Sequence, residues 1–304
     1  MTLNFQAKIG KLTLKNPVMV ASGTFGYAQE FKDFIDLRRL GAVVTKTITL
    51  NPRRGNPPPR TCETPAGMLN SIGLENPGLE GFIKNKLPYL FKIGIPVIVS
   101  ITSEDDPREF ITLARRLDKI KEIAALELNI SCPNLRKTKL ISQDPKSTYE
   151  VVSKVRKATR KTLITKLTPN VTDITEISLA AEGAGSDAVS LINTLTGMSI
   201  DVETRKPKIA RITAGLSGPA IRPIAVRMVW EVYQKMKIPI IGMGGIMDSN
   251  DALEFIFAGA SAIAVGTANF INPKAAIEII SGLKEYLIKN KISNIKTLSG
   301  SIKI

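Results

Sequence analysis

Cys132 closes an apolar run, in the stretch Asn129-Ile-Ser-Cys-Pro-Asn134. A thiol has an ordinary pKa of about 8.5, so modest lowering makes it a proton acceptor near neutrality. Most free cysteines are small buried hydrophobes, but a core cysteine needs no flanking asparagines. The chain has no histidine, which excludes His-based triads, His metal sites and imidazole bases. The other cysteine, Cys62, lies in a Pro/Arg-rich stretch without polar company and reads as structural. Two cysteines cannot form a Cys-rich zinc site or hold an iron–sulfur cluster unaided, so no metal is expected here. Nor do they make a disulfide framework, and a reducing cytoplasm is the default location.

Lys46 and Lys166 also stand at the ends of apolar runs. Surface lysines are common, but an ammonium beside apolar residues is costly without a partner, and an anionic ligand would supply one. Asn70, Asn129, Asn134 and Asn193 could each be turn or capping residues. As a set they offer paired donors and acceptors that match the imide edge of a pyrimidine. Gly242-Met-Gly-Gly245 and Val265-Gly266-Thr267 end two further runs. Glycine often ends strands for turn reasons alone. Two such turns at the close of a repeating α/β chain are a usual seat for phosphate, and the phosphate of a cofactor such as FMN would fit.

These residues need elements that bring their run ends together. Eight short apolar runs recur along the 304 residues: Val18–Ala21, Ala42–Lys46, Val97–Ile101, Leu126–Ile130, Leu163–Leu167, Ala188–Ile192, Ile240–Gly242 and Ala262–Val265. Several are apolar at every position, as strands buried on both faces are. Amphipathic stretches alternate with them: Pro107–Ile120, Thr148–Ala158, Ile174–Ala184, Pro223–Lys235 and Ser249–Phe257, often with Asp or Ser at the start. The pattern predicts a single-domain (β/α)8 TIM barrel over residues 1–304 with an N-terminal β-hairpin turning at Ile9-Gly10-Lys11; a doubly wound sheet is the structural alternative. The long insert after strand 2, from Thr47 to Pro96, exceeds a plain βα connection and should carry function or extra structure. In a barrel the run ends share one mouth. Ser22-Gly23, Lys46-Thr47, Ser100, Asn129–Asn134, Lys166, Asn193-Thr194 and the two glycine turns would meet there.

The formal net charge is +15, from 42 Lys and Arg against 27 Asp and Glu. The cations are dispersed, with denser stretches at Lys154–Lys161 and Arg205–Arg211, and read as a solvated surface. Aromatic residues are 5% and do not interleave with the basic ones, so nucleic acid is not an expected partner. The polar, alternating N-terminus is unlike a signal peptide, and no run approaches a membrane span.

Seven blocks, spread over nearly the whole chain, resemble the dihydroorotate dehydrogenase family in content and order: MLNSIGLENPG (Met68–Gly78), ELNISCPN (Glu127–Asn134), KLTPNVTDI (Lys166–Ile174), INTLTGM (Ile192–Met198), GLSGPAIRP (Gly215–Pro223), IIGMGGI (Ile240–Ile246) and AVGTANF (Ala264–Phe270). NPRRGNPPPRTCETPAG (Asn51–Gly67) is similar to the class 1B catalytic subunits. The resemblance implies oxidation of dihydroorotate to orotate in pyrimidine biosynthesis, with Cys132 as the base for the C5 proton and N5 of FMN as acceptor of the C6 hydride. It implies that Lys46 anchors substrate and flavin. Asn70, the Ile72-Gly73-Leu74 main chain, Asn129, Asn134, Asn193 and Thr194 would hold the pyrimidine ring and its carboxylate. Ser22, Gly23, Thr47, Ser100, Asn129, Lys166, Ile192, Gly218, Gly244, Gly245, Gly266 and Thr267 would surround FMN, the last four at its phosphate. It further implies a homodimer, and a heterotetramer with a subunit that carries FAD and a [2Fe–2S] cluster and passes electrons to NAD.

Two departures from the family pattern stand out. Leu135–Gln143, expected to act as a lid over the substrate, has no glycine, where the family usually has several. Ser100 stands where the family usually has asparagine. The nearest rival is another FMN barrel acting on dihydropyrimidines, since the proton and hydride geometry is shared. A tRNA dihydrouridine synthase would suit the charge but wants an RNA-binding region. From a different class, a non-catalytic phosphate-binding barrel would need neither Cys132 nor the two lysines.

Overall fold

Alternation along each apolar run decides what faces inward, and it sorts the buried residues into two sets. The computed structural model describes residues 3–103, 106–131 and 141–303. Its strands, in chain order, are β1 (Ala7–Ile9), β2 (Leu12–Leu14), β3 (Val18–Val20), β4 (Ala42–Val44), β5 (Thr61–Thr64), β6 (Gly67–Asn70), β7 (Val97–Ile101), β8 (Ile123–Asn129), β9 (Thr162–Lys166), β10 (Ala188–Leu191), β11 (Leu195–Gly197), β12 (Ile200–Asp201), β13 (Lys206–Pro207), β14 (Ala214–Ser217), β15 (Ile240–Gly242) and β16 (Ala262–Val265). The helices are α1 (Gly78–Asn85), α2 (Leu87–Lys92), α3 (Arg108–Asp118), α4 (Pro145–Arg156), α5 (Ile174–Gly183), α6 (Arg222–Tyr233), α7 (Ser249–Ala258), α8 (Ala268–Ile271) and α9 (Ala275–Lys289).

Eight parallel strands, β3, β4, β7, β8, β9, β10, β15 and β16, close into a barrel, and β16 pairs back onto β3. This is the (β/α)8 architecture expected from the eight runs, so the doubly wound alternative is excluded. Met19, Val44, Ile98, Ala125, Ile164, Ala188, Ile241 and Ala264 fill the interior. Their neighbours Val18, Val43, Val99, Leu126, Leu163, Val189, Ile240 and Val265 pack outward with the helices, as a period of two requires. Small residues begin several strands on the inside, including Ala42, Ala188 and Ala262. They leave room for Ile9 and Leu14 of the β1–β2 hairpin, which plug that end.

The helices close the outer layer by burying one stripe each. In α3 that stripe is Phe110, Leu113, Ala114 and Leu117, at i, i+3, i+4 and i+7. Asp144, Asp173 and Asp248 cap α4, α5 and α7 by accepting a backbone N–H of the first turn, each worth about 1 kcal/mol. The expected amphipathic stretches are therefore helices within a few residues of their bounds. The two helices after the last strand, α8 and α9, are not among those stretches. Among the described residues no helix is long and apolar enough to cross a membrane.

The insert after the second barrel strand does carry structure. It contributes α1, α2 and the β5–β6 hairpin. The hairpin joins β14 and β11, from the connection after the sixth barrel strand, in a four-stranded antiparallel sheet ordered β11-β14-β6-β5. Two segments distant in sequence thus build one wall beside the barrel mouth. Asn76 is buried behind it. Its amide donates to Leu74 O (2.7 Å) and Thr49 Oγ1 (2.8 Å), and its Oδ1 accepts from the N–H groups of Gly78 (2.8 Å) and Thr49 (3.2 Å). That clamp fixes Ile72–Leu74, where Leu74 is held at φ 59°, a left-handed conformation that costs a side-chain-bearing residue about 1–3 kcal/mol.

Candidate active site

The C-terminal ends of the barrel strands and the antiparallel wall enclose a cavity of about 420 Å³, within the usual range for small-molecule sites, about 300–1,000 Å³. Ser22, Gly23, Lys46, Thr47, Asn70, Ile72, Leu74, Asn129, Lys166, Ile192, Asn193, Thr194, Gly218, Gly244, Gly245, Gly266 and Thr267 all line it. Residues picked from most of the barrel strand ends and from the insert therefore share one space.

A network of hydroxyls and amides organises one side. Thr47 Oγ1 receives a hydrogen bond from Asn129 Nδ2 (3.1 Å) and lies 3.0 Å from Ser22 Oγ and 2.9 Å from Ser100 Oγ. Ser131 Oγ donates to Asn129 Oδ1 (3.1 Å), Asn193 Nδ2 donates to Ser131 Oγ (2.9 Å), and the Thr194 N–H donates to Asn193 Oδ1 (2.8 Å). Asn70 Nδ2 donates across the wall to Gly215 O (3.3 Å). Among the described residues, each of Asn70, Asn129 and Asn193 spends only part of its hydrogen-bonding capacity, which leaves donors and acceptors for a ligand in the cavity they line.

The opposite wall is backbone. Gly245 has φ 78°, and a Cβ on it would lie 2.7 Å from Gly218 O, so both the conformation and the close approach require glycine. Gly266 differs. A Cβ there would meet nothing nearer than Ala21 Cβ at 3.8 Å. The described residues leave that space open, and a ligand pressed against the main chain would use it. Beside it Thr267 Oγ1 donates to Ser217 Oγ (2.8 Å).

Lys166 is the electrostatic centre. It ends β9 and is 5% exposed. Among the described residues no hydrogen bond or ion pair engages its ammonium, which leaves a buried cation open to an anionic ligand. Lys46 enters from the end of β4 and is half-buried.

Two selected residues stand apart from the lining. Ser100 is fully buried on β7 and sits behind Thr47, which it helps to orient. Gly73 lies between two lining residues, and a Cβ on it would strike Asn56. Cys132, Asn134 and residues 135–140 of the expected lid lie outside the described residues. Cys62 is on β5, half-buried in the wall. Sequence reasoning passes over Thr61, Met68, Gly215, Ser217 and Phe270, which also line the cavity. The signal for the first two is present: Thr61–Thr64, the turn at Pro65-Ala66, and Gly67–Asn70 spell a hairpin.

A (β/α)8 barrel whose mouth presents cations, unspent amides and bare glycine backbone is of the kind that binds an anionic cofactor or substrate. Comparison with known proteins narrows that class. A profile described as dihydroorotate dehydrogenase matches residues 4–287, and the chain belongs to that family of oxidoreductases. It is 54% identical to the dihydroorotate dehydrogenase B (NAD(+)) catalytic subunit of Trichlorobacter lovleyi, over 97% of each chain. It is 53% identical to that of Geotalea daltonii, over 99% of each chain. With that of Thermoanaerobacter pseudethanolicus it shares 51% over 99% of this chain and 100% of the relative.

Proposed function

We propose that this enzyme oxidises dihydroorotate to orotate, a step of pyrimidine biosynthesis, with FMN in the cavity of the barrel mouth. The observation that carries the reading is Lys166: a buried ammonium without a protein partner among the described residues, facing a cavity whose far wall is glycine backbone. The residues fit FMN on that ground. Gly244, Gly245, Gly266 and Thr267 would hold its phosphate through main-chain N–H groups. Ser22, Gly23, Thr47, Asn129, Ile192 and Gly218 would bound its ring system. When bound, FMN supplies the acceptor for the hydride from C6 of dihydroorotate.

The chain's own residues do the rest. Asn70, Asn129, Asn193 and Thr194, with Asn134 and the Ile72–Leu74 main chain, bind the dihydropyrimidine and orient it by its imide edge and carboxylate. Cys132 takes the C5 proton, so a base stands across the substrate from the flavin and the two hydrogens leave opposite faces of one C–C bond. Its place three residues beyond Asn129, next to Ser131 in the amide network, supports this role. Lys46 and Lys166 offset the negative charge that collects on ligand and cofactor as hydride is transferred.

The relatives are named as catalytic subunits of dihydroorotate dehydrogenase B (NAD(+)). We therefore infer a cytoplasmic homodimer that joins a second subunit carrying FAD and a [2Fe–2S] cluster, in a heterotetramer through which electrons reach NAD or another acceptor.

The deciding experiment is the visible absorption spectrum of the purified chain under anaerobic conditions, before and after addition of dihydroorotate. Flavin bands that bleach are the expected result. Bands that persist would move the substrate to another reduced pyrimidine. A chain that is colourless and takes up no added FMN would overturn the flavin reading in favour of a non-catalytic phosphate-binding barrel.

A further inference from the structure

Directly below the mouth the barrel interior holds a second charge. Alternation along β8 turns Ala125, Glu127 and Asn129 inward, and Glu127 is 1% exposed. One carboxylate oxygen, Oε2, accepts from Ser190 Oγ at 3.1 Å. The other, Oε1, is buried and has no hydrogen-bond partner among the described residues. Ser190 belongs to β10, and β9 lies between β8 and β10 in the barrel. The Glu127 side chain therefore crosses the inner face of β9. In register Glu127 pairs with Ile164, and Ser190 pairs with Lys166. The carboxylate is thus carried to the level of the Lys166 stem, yet no ion pair joins the two groups. Lys166 extends up into the cavity instead.

Neither group is explained alone. Among the described residues one carboxylate oxygen is empty and the buried ammonium has no hydrogen-bond or ion-pair partner; each is expensive in a low-dielectric interior, and each lowers the cost of the other through space. We propose that Glu127 is the built-in counter-charge of Lys166: it compensates the ammonium whatever the cavity holds, and so moderates how strongly Lys166 draws negative charge onto the ligand it faces. Glu127 is a positioning residue in this arrangement, since it acts through Lys166. A hydroxyl at Ser190, rather than a second cation, holds the carboxylate across β9 and leaves Oε1 available to Lys166.

The test has two readouts. The first needs no ligand: urea unfolding of the flavin-free chain as wild type, Glu127→Gln, Lys166→Met and the double variant. Each single change strands one buried charge, so both midpoints should fall, and the double variant should recover at least half of the loss caused by Glu127→Gln. Losses that simply add would overturn the pairing. The second rests on the FMN reading above: the midpoint potential of bound flavin. With its counter-charge removed, Lys166 should favour reduced over oxidised flavin about tenfold more, a rise of about 30 mV for a two-electron couple. The same change in a Lys166→Met background should give no rise. Ser190→Ala should shift the potential the same way by less, and it decides the matter if Glu127→Gln does not fold. A potential unmoved by both variants in flavin-loaded protein would overturn the proposal. A chain that binds no flavin would defeat the FMN reading alone, because the unfolding comparison still judges the pair.

Discussion

The two ends of the barrel are made from the same strands and differ in how completely their polar groups are paired. At the base, Ile9 and Leu14 plug an interior of small apolar residues. The charges around it are matched: Arg156 and the Leu163 N–H both bind Asp187 Oδ2 at 2.8 Å, and Lys161 Nζ donates to Ile120 O and Ile123 O, both at 2.8 Å. Burial lowers the Lys161 pKa from the ordinary lysine value, against the attraction of Asp118 and Glu122. At the mouth, among the described residues, no hydrogen bond or ion pair engages the Lys166 ammonium and Glu127 keeps one oxygen empty. A fold that satisfies its charges at one end can leave them unsatisfied at the other, because the eight strands hold the mouth in place whatever it contains. Unmet polar groups at a rigid, stable end mark where a ligand completes the structure.

Four changes would break or sharpen that contrast. The largest effect is expected from Cys132→Ser at the mouth. Reduction of bound flavin by dihydroorotate should slow by about 10²–10⁴-fold, the usual contribution of a general base, while FMN stays bound. Stopped-flow traces at the wild-type rate would sink the base assignment. At the base, Ile9→Ala should cost about 2–5 kcal/mol of unfolding free energy by opening a cavity under the plug and leave flavin affinity as it was. A loss of affinity as large as the loss of stability would show that the two ends are not separable. Gly266→Ala should do the reverse. The flavin-free chain should unfold at the wild-type midpoint, since the new methyl meets only ordinary contacts. FMN should bind at least tenfold more weakly, about 1.4 kcal/mol, as read by flavin fluorescence. The smallest effect belongs to Asp118, whose carboxylate accepts from Thr159 Oγ1 (2.6 Å) and the Arg160 N–H (2.8 Å). Burial alone would raise its pKa; these hydrogen bonds outweigh burial and lower it. A depressed folded pKa means stability that is present above the unfolded value, about 3.9, and is lost as pH falls through the folded one. Asp118→Asn should therefore cost no more than about 1 kcal/mol at pH 7, and that cost should fade in urea titrations as the pH is taken below about 4. A cost that persists unchanged at acid pH would assign it to packing rather than charge.

Much of the site is legible in the order of residues, because barrel strands are short apolar runs and the residue after each run falls at one mouth. That is why Lys46, Asn129, Lys166, Asn193 and the glycines of two separate turns group together on sequence grounds. The antiparallel wall is harder to read. Its four strands are three or four residues long and mostly half-buried, too short for a sustained apolar pattern, and β6 meets β14 only when the chain closes a gap of 145 residues between Asn70 and Gly215. Ser100 teaches the opposite lesson. It stands near the end of its run, yet it is fully buried behind Thr47 rather than at the cavity, which Thr47 lines.

The linear order of residue types is therefore enough for the eight-stranded barrel, the capped helices and the set of strand ends that form the mouth. Each follows from local periodicity and from the rule that parallel strands point one way. Only the tertiary structure decided that Glu127 reaches across β9 to Ser190, that Asn76 clamps Leu74 in a left-handed turn, and that Gly266 is open where Gly245 is crowded. Those facts arise from side chains and main chain far apart in sequence meeting in a closed interior, where burial and an unpaired charge acquire their cost.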